Sequence, residues 1–264
     1  MIDAHHHLWQ LGAGYDWLDA PELAPIRRTF TPADLQAALA GTGVTQTVLV
    51  EGGRCDPGEA ALLLSYDIPE IAGVVAWDDP AASFLPAYRD LPGADRLVGL
   101  RAQVQAEDVD YLGRDDVREG LRSYGRAGLV FDLVIRQDQL AAAAACARAC
   151  PDVRFVLDHL GKPKDFKSWK SDISRLSKNV AAKLSGLFTE VEDVQPYVET
   201  ALELFGPERL MWGSDWPVST LAVPYAEALS RIRELVDDPR VFASTAREVY
   251  GLPAVQSPRR DPWH

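Results

Sequence analysis

The chain is poor in sulfur, with three cysteines (Cys55, Cys146 and Cys150) and two methionines in 264 residues. An odd, sparsely spaced set of cysteines offers no disulfide framework on which a small fold could depend. Cys146 and Cys150 lie four apart in an alanine-rich run and so share a helix face. That spacing suits a buried packing pair better than a metal or redox pair. Cations are also scarce: 27 Lys and Arg stand against 39 Asp and Glu, for a net charge of −12. A surface of that sign argues against nucleic acid or an anionic bilayer as partner. No apolar run reaches the length of a membrane span, and the start lacks a basic-then-apolar leader, so a reducing cytoplasm is the expected compartment. Nor does a glycine-rich dinucleotide fingerprint follow an early strand. What is present is a 47% hydrophobic chain long enough for a substantial core.

Short apolar runs recur roughly every 25 to 30 residues, at 2–5, 45–50, 71–77, 97–103, 129–135, 153–158, 180–184 and 210–213. Helical patterns fall between and after them, at 32–40, 57–66, 81–91, 117–127, 137–150, 169–176, 194–205 and 224–236. Several open on start signals, as in Thr31-Pro32-Ala33-Asp34. Near-continuous apolar strands mark a parallel sheet covered by helices. Eight strand–helix units predict an α/β fold, a single-domain and somewhat distorted (β/α)8 TIM barrel over residues 1–264, with a doubly wound open sheet as the alternative. The long first connection, residues 10–30, is rich in Trp, Tyr and Pro and is expected to shape a pocket. The tail at 256–264 reads as extended and surface-bound.

In such a barrel the chemistry gathers at the C-terminal strand ends. Those ends carry His5 and His7, Glu51 and Arg54, Arg101, Asp132, His159, Lys183 and Asp215. Alternation along a strand puts His5 and His7 on one face and His6 on the other. Two imidazoles there can hold a metal, a water or an ionised substrate. Asp215, between Gly-Ser and Trp-Pro, is placed as a base of restricted hydration, or else as a loop residue bonding its own backbone. Arg101 can bind a substrate oxygen or neutralise Asp132. Lys183 and Asp132 read equally as site residues or as an interior ion pair.

Four motifs fall in order: Asp3-Ala-His-His-His, Asp-His-Leu-Gly-Lys-Pro at 158–163, Ala-Lys-Leu-Ser-Gly-Leu at 182–187 and Gly-Ser-Asp-Trp-Pro-Val at 213–218. With Phe205–Trp212 and Ala246–Tyr250 they give the chain a resemblance, over nearly its whole length, to the lactone-hydrolase branch of the amidohydrolase superfamily. L-fuconolactonase, L-rhamnono-lactonase and 2-pyrone-4,6-dicarboxylate lactonase belong to that branch. The resemblance implies that His5 and His7 match the paired histidines of the first strand, His159 the histidine after the sixth, and Asp215 the aspartate after the eighth. Metal-dependent members of the wider superfamily add a carboxylated lysine or glutamate on the fourth strand and a histidine on the fifth. Arg101 and Asp132 stand in those regions here, which argues against a binuclear centre. A single divalent cation such as zinc on His5, His7 and Asp215, with or without His159, fits chemically. The reading favoured is that no metal is strictly required.

The expected reaction is ring opening of a neutral sugar lactone, such as L-fuconolactone or L-rhamnonolactone, to the sugar acid. Asp215 would activate water, while His159, His5 and His7 polarise the carbonyl or hold that water. Arg101, Lys183, Glu51 and Arg54 would bind substrate, with Trp9, Trp17, Tyr15 and Trp216 lining the pocket. A dicarboxylated pyrone would demand several arginines, and only Arg54, Arg101 and Arg136 qualify. A zinc-dependent decarboxylase and a non-catalytic binding barrel are the alternatives. No cysteine falls at a strand top beside a histidine, Cys55 coming nearest, so a cysteine hydrolase is set aside. A monomer or homodimer is expected.

Overall fold

The computed structural model describes residues 1–254. The expectation for the tail at 256–264 therefore lies outside the described residues. Eight parallel strands run in sequence order: β1 (Ile2–His6), β2 (Gln46–Val50), β3 (Ile71–Trp77), β4 (Leu97–Ala102), β5 (Val130–Leu133), β6 (Phe155–Leu157), β7 (Val180–Leu184) and β8 (Leu210–Trp212). Parallel ladders join each strand to the next, with a register shift in each of the β1–β2, β2–β3 and β3–β4 pairs. Between β8 and β1 the closure comes beyond the end of β8, through a parallel bridge between His6 and Trp216. There the Asp215 amide donates to the His5 carbonyl at 2.8 Å, and the His7 amide to the Trp216 carbonyl at 2.7 Å. The barrel is thus sewn shut by His5, His7 and Asp215, all candidate site residues, together with Trp216, and the (β/α)8 expectation holds.

Among the described residues ten α-helices accompany the strands: α1 (Pro32–Leu39), α2 (Gly58–Ser65), α3 (Leu85–Tyr88), α4 (Asp115–Arg126), α5 (Leu140–Ala149), α6 (Phe166–Ile173), α7 (Leu187–Glu190), α8 (Gln195–Phe205), α9 (Tyr225–Leu235) and α10 (Ser244–Tyr250). Helix α1 starts where its signals place it: the Thr31 hydroxyl accepts from the Asp34 amide, and Asp34 accepts in return from the Thr31 amide. The helix expected over 81–91 shrinks to the four residues of α3. Pro86 falls inside that span and Pro80 and Pro92 flank it, and Asp78 takes the Phe84 amide (2.8 Å) and Ser83 hydroxyl (2.6 Å) into a turn. Helix α6 begins three residues earlier than expected, because Asp165 caps it by accepting from the Ser168 amide. The long first connection is not irregular throughout; it holds two short 3-10 turns, Asp16–Asp19 and Pro21–Ile26.

Two apolar layers result. Small and branched side chains (Ile2, Ala4, Val48, Val50, Val75, Val130, Val156 and Met211 among them) fill the barrel interior, closed from beneath by Tyr250 and Leu252. A larger layer lies between strands and helices. Cys146 and Cys150 are both buried and unbridged, and burial pushes the Cys146 thiol up to about 12, as befits inert packing residues.

Candidate active site

The site begins with an irregularity in β1. Asp3 pairs with Thr47 and His6 with Leu49, so three steps along β1 oppose two along β2 and one residue is extra. Strict alternation would put Asp3 on the face of His5. Instead Asp3 turns outward, accepting from the Ser214 amide (2.8 Å) and the Tyr225 hydroxyl (2.9 Å). His6 also faces outward, its Nε2 2.9 Å from the Thr47 hydroxyl. His5 and His7 are left pointing inward, with their Nε2 atoms 3.1 Å apart.

Asp215 reaches them from the turn after β8, in a left-handed backbone conformation (φ 56°). Its Oδ1 lies 3.4 Å from His7 Nε2, 3.6 Å from His5 Nε2 and 4.0 Å from His159 Nε2, so one carboxylate oxygen faces three imidazoles. Each ring is held from behind. His7 Nδ1 donates to the Val50 carbonyl at 2.9 Å, which fixes the ring with its Nε2 toward His5 and Asp215. His159 Nδ1 meets the Ser185 hydroxyl at 2.9 Å. Gly186 is required beside them: it has φ 65°, and a Cβ there would stand 2.5 Å from His159 Nδ1 and 3.0 Å from Asp215 Oδ2.

Beneath His5 lies a buried ionic network. Lys183 Nζ is 2.6 Å from Asp132, 2.9 Å from Asp158 and 3.1 Å from His5 Nδ1. Asp132 also accepts from the Tyr250 hydroxyl at 2.8 Å. Arg101 donates to Glu51 (2.5 Å), to Asp158 (2.9 Å) and to the Glu51 carbonyl (2.6 Å). Its charge is therefore spent on Glu51 and Asp158, not on Asp132. His5 Nδ1 is also 3.2 Å from Asp158 Oδ1. With its proton shared toward Asp158, His5 presents a lone pair at Nε2. With Lys183 donating to Nδ1, it presents an N–H donor instead.

Electrostatics fixes the charge state. Burial pushes the imidazole of His159 down to about 4 and that of His5 well below its usual range. Burial opposes ionisation of Asp215, but the imidazoles of His159, His7 and His5 outweigh it and hold the carboxyl below the usual range. Near neutrality Asp215 is a carboxylate facing neutral His5 and His159. The cavity above holds about 360 Å³ and is lined by His7, Trp17, Arg101, His159, Lys162 and Asp215, with Gln103, Gln105, Thr189 and Glu190 as further polar groups.

Several expected contacts are corrected. Trp9 is fully buried, donating to the Arg28 carbonyl at 2.7 Å, and packs edge-on against Phe30 and Trp17. Trp216 packs edge-on against Phe30. Tyr15 lies buried over Gly52. None of the three lines the cavity; their rings form the core that carries the first connection. Trp17 does line it, tied down by its indole N–H to the Gly52 carbonyl at 2.8 Å. Glu51 and Lys183 sit wholly inside the buried network, out of reach of a ligand, because an interior charge needs partners more than it needs exposure. Arg54 pairs with Asp56 on the following loop, outside the cavity lining. Gln103, Gln105, Lys162, Thr189 and Glu190 went unassigned. Only Lys162 carried a signal, as part of the Asp-His-Leu-Gly-Lys-Pro motif.

Imidazole nitrogens with a carboxylate oxygen form a donor set suited to a zinc-like cation. Ligand atoms of His5, His159 and Asp215 fall within 4.8 Å of one another; His7, expected as a ligand, lies outside that set, with its Nε2 3.1 Å from His5 Nε2 and 3.4 Å from Asp215 Oδ1. The backing of His7 and His159 by fixed partners is the kind of support such ligands use.

No helix among the described residues is long and apolar enough to cross a membrane. The sequence is 34% identical to an L-fucono-1,5-lactonase of Burkholderia ambifaria, over 84% of this chain and 81% of that one. It is 31% identical to an L-fucono-1,5-lactonase of Burkholderia multivorans, over 96% of each. The fold superposes on a crystal structure of an amidohydrolase from Burkholderia multivorans with bound zinc, with a TM-score of 0.89 and 29% identity, over 96% of this chain and 99% of that one. The amidohydrolase family model matches residues 2–252, and the chain belongs to that family.

Proposed function

We propose that the protein hydrolyses a neutral sugar lactone, of the L-fuconolactone or L-rhamnonolactone kind, to the free sugar acid in the cytoplasm. The observation that carries this reading is a single ionised carboxylate oxygen, that of Asp215, facing the imidazoles of His7 and His159, which line a mostly uncharged cavity with it, and that of His5, buried behind them. Two relatives bearing the L-fucono-1,5-lactonase name support the substrate class.

A water held by Asp215 and His7 attacks the lactone carbonyl carbon while Asp215 takes its proton. The carbonyl electrons move onto oxygen, where His159 and the N–H form of His5 donate to it. As the carbonyl re-forms, the bond to the ring oxygen breaks, and Asp215 returns the proton to that oxygen. Gln103, Gln105, Thr189 and Glu190 provide partners for hydroxyl groups, and the Trp17 ring faces the apolar side of the sugar. His5, His7, His159 and Asp215 are the residues that would hold a divalent cation; when bound, it would polarise the ester carbonyl and ease ionisation of water. The two proton positions of His5 give the site a metal-free donor form as well, and so a metal is not strictly required. A dicarboxylated pyrone is disfavoured, since Arg101 is already neutralised.

A lactone panel assayed by acid release, with metal analysis and chelator treatment of the same sample, tests this. Turnover of aldonolactones that survives chelation is expected. Turnover of an aromatic carboxylate with none of any lactone would refute it. Asp215→Asn should fold and lose at least about 100-fold in turnover; retained activity would remove Asp215 as the base.

A further inference from the structure

The backbone after β6 does something rare. His159 (φ 54°), Leu160 (φ 49°), Gly161 (φ 74°) and Lys162 (φ 51°) are four consecutive residues in the left-handed region. L-residues ordinarily visit it singly, at roughly 1–2 kcal/mol each. Buried anchors hold the segment there: Leu160 is wholly inside, and its carbonyl accepts from the Trp169 indole at 2.8 Å. The Lys162 amide closes the turn by donating to the His159 carbonyl at 2.9 Å. A closed turn of that span brings residues three apart to one side, and both His159 and Lys162 line the cavity. Such strain persists where a site requires the geometry.

Charge shows what the second member of the pair is for. Arg101 and Lys162 are the two cations lining the cavity, and Arg101 is neutralised by Glu51 and Asp158. Among the described residues Lys162 has no carboxylate within 4.0 Å, the cavity's own Glu190 included. It is half-buried, and its field reaches both His159 and Glu190. The reaction in "Proposed function" turns a neutral ester into an anion, first at the carbonyl oxygen while Asp215 holds the water proton, and then as a carboxylate beside an Asp215 that is ionised again.

We propose that Lys162 is a catalytic residue that binds the lactone carbonyl oxygen and, after ring opening, the carboxylate it becomes. This rests on the lactonase reading. The ammonium interacts weakly with the neutral ester and strongly with the oxyanion, so its contribution falls on the transition state.

The test uses Lys162→Met and Lys162→Arg, with L-fucono-1,5-lactone as substrate and two ligands, L-fuconate and the uncharged 1,5-anhydro-L-fucitol. The methionine variant should lose about 100-fold or more in kcat/KM. Its affinity for fuconate should fall at least tenfold, with anhydrofucitol affinity unchanged. The arginine variant should keep most of both. A methionine variant within twofold of the parent in turnover and in fuconate affinity overturns the proposal. So does equal loss of both ligands in that variant when Lys162→Arg retains them, since the charge would then not discriminate the anion. If the parent enzyme opens no lactone, the lactonase reading falls. The fuconate-to-anhydrofucitol affinity ratio, measured by calorimetry on parent and variants, still decides whether Lys162 is an anion-binding group.

Discussion

Replacing Gly186 with alanine separates backbone strain from site disruption, when compared with the same change at Gly128. Both glycines have positive φ, 65° and 77°. Gly128 follows α4 in a turn closed by the Leu129 amide on the Tyr124 carbonyl, and a Cβ there would meet nothing within 4 Å. Gly128→Ala therefore adds only left-handed strain, about 1–2 kcal/mol, partly offset by a stiffer unfolded chain. Gly186→Ala adds the same strain plus a Cβ 2.5 Å from His159 Nδ1 and 3.0 Å from Asp215 Oδ2. The imidazole must retreat by roughly 1 Å, and such overpacking costs about 1–3 kcal/mol more. The sum, about 2–5 kcal/mol, corresponds to a fall in Tm of very roughly 5–15 °C for a chain of this size. A displacement of that size at a reacting group also costs about 100-fold in turnover. Chemical denaturation and steady-state kinetics on both variants measure the two effects. Gly128→Ala should keep full kcat; Gly186→Ala should lose both stability and turnover. Wild-type turnover in Gly186→Ala, or equal destabilisation of the two variants, would refute the reasoning.

Lys183→Met strands Asp132 in the barrel interior, while Asp158 keeps Arg101, and should destabilise by about 3–5 kcal/mol, with most of the loss recovered in acid as the Asp132 carboxyl protonates. Urea melts at pH 5 and pH 8 check this; a pH-independent loss would contradict it. At Glu59, burial and the nearby Glu51 push the carboxyl up to about 8 from 4.5. Between those values the folded chain holds a proton that the unfolded chain has released, so stability falls as pH rises from about 4.5 to about 8, by roughly 3–5 kcal/mol. Glu59→Gln keeps an oxygen to accept from the Gly52 amide, as Glu59 does at 2.7 Å, and should flatten that dependence in denaturation series from pH 5 to pH 9. Parallel curves for parent and variant would rule out Glu59 as the source.

The barrel was legible because its strands are apolar runs at regular spacing, and periodicity survives whatever the loops do. The facing of His5 and His7 was also legible from alternation, although the alternation is broken one residue earlier. Nothing in Asp3-Ala-His reveals that a bulge turns Asp3 outward to Ser214 and Tyr225, since the extra residue is defined only against the partner strand. Failure was most systematic for charges. Glu51, Lys183 and Arg101 all occupy strand-top positions in the sequence, yet the first two are sealed beneath the cavity. The reason is pairwise: Asp158 lies within hydrogen-bonding reach of Lys183, Arg101 and His5 together, a convergence from four strands or their ends that no local pattern encodes. A strand-top charge is read correctly only when its counter-charge is known. By that criterion Lys162, reached through two costly left-handed residues, His159 and Leu160, and a glycine, and left without a counter-ion, is the cation the cavity keeps free.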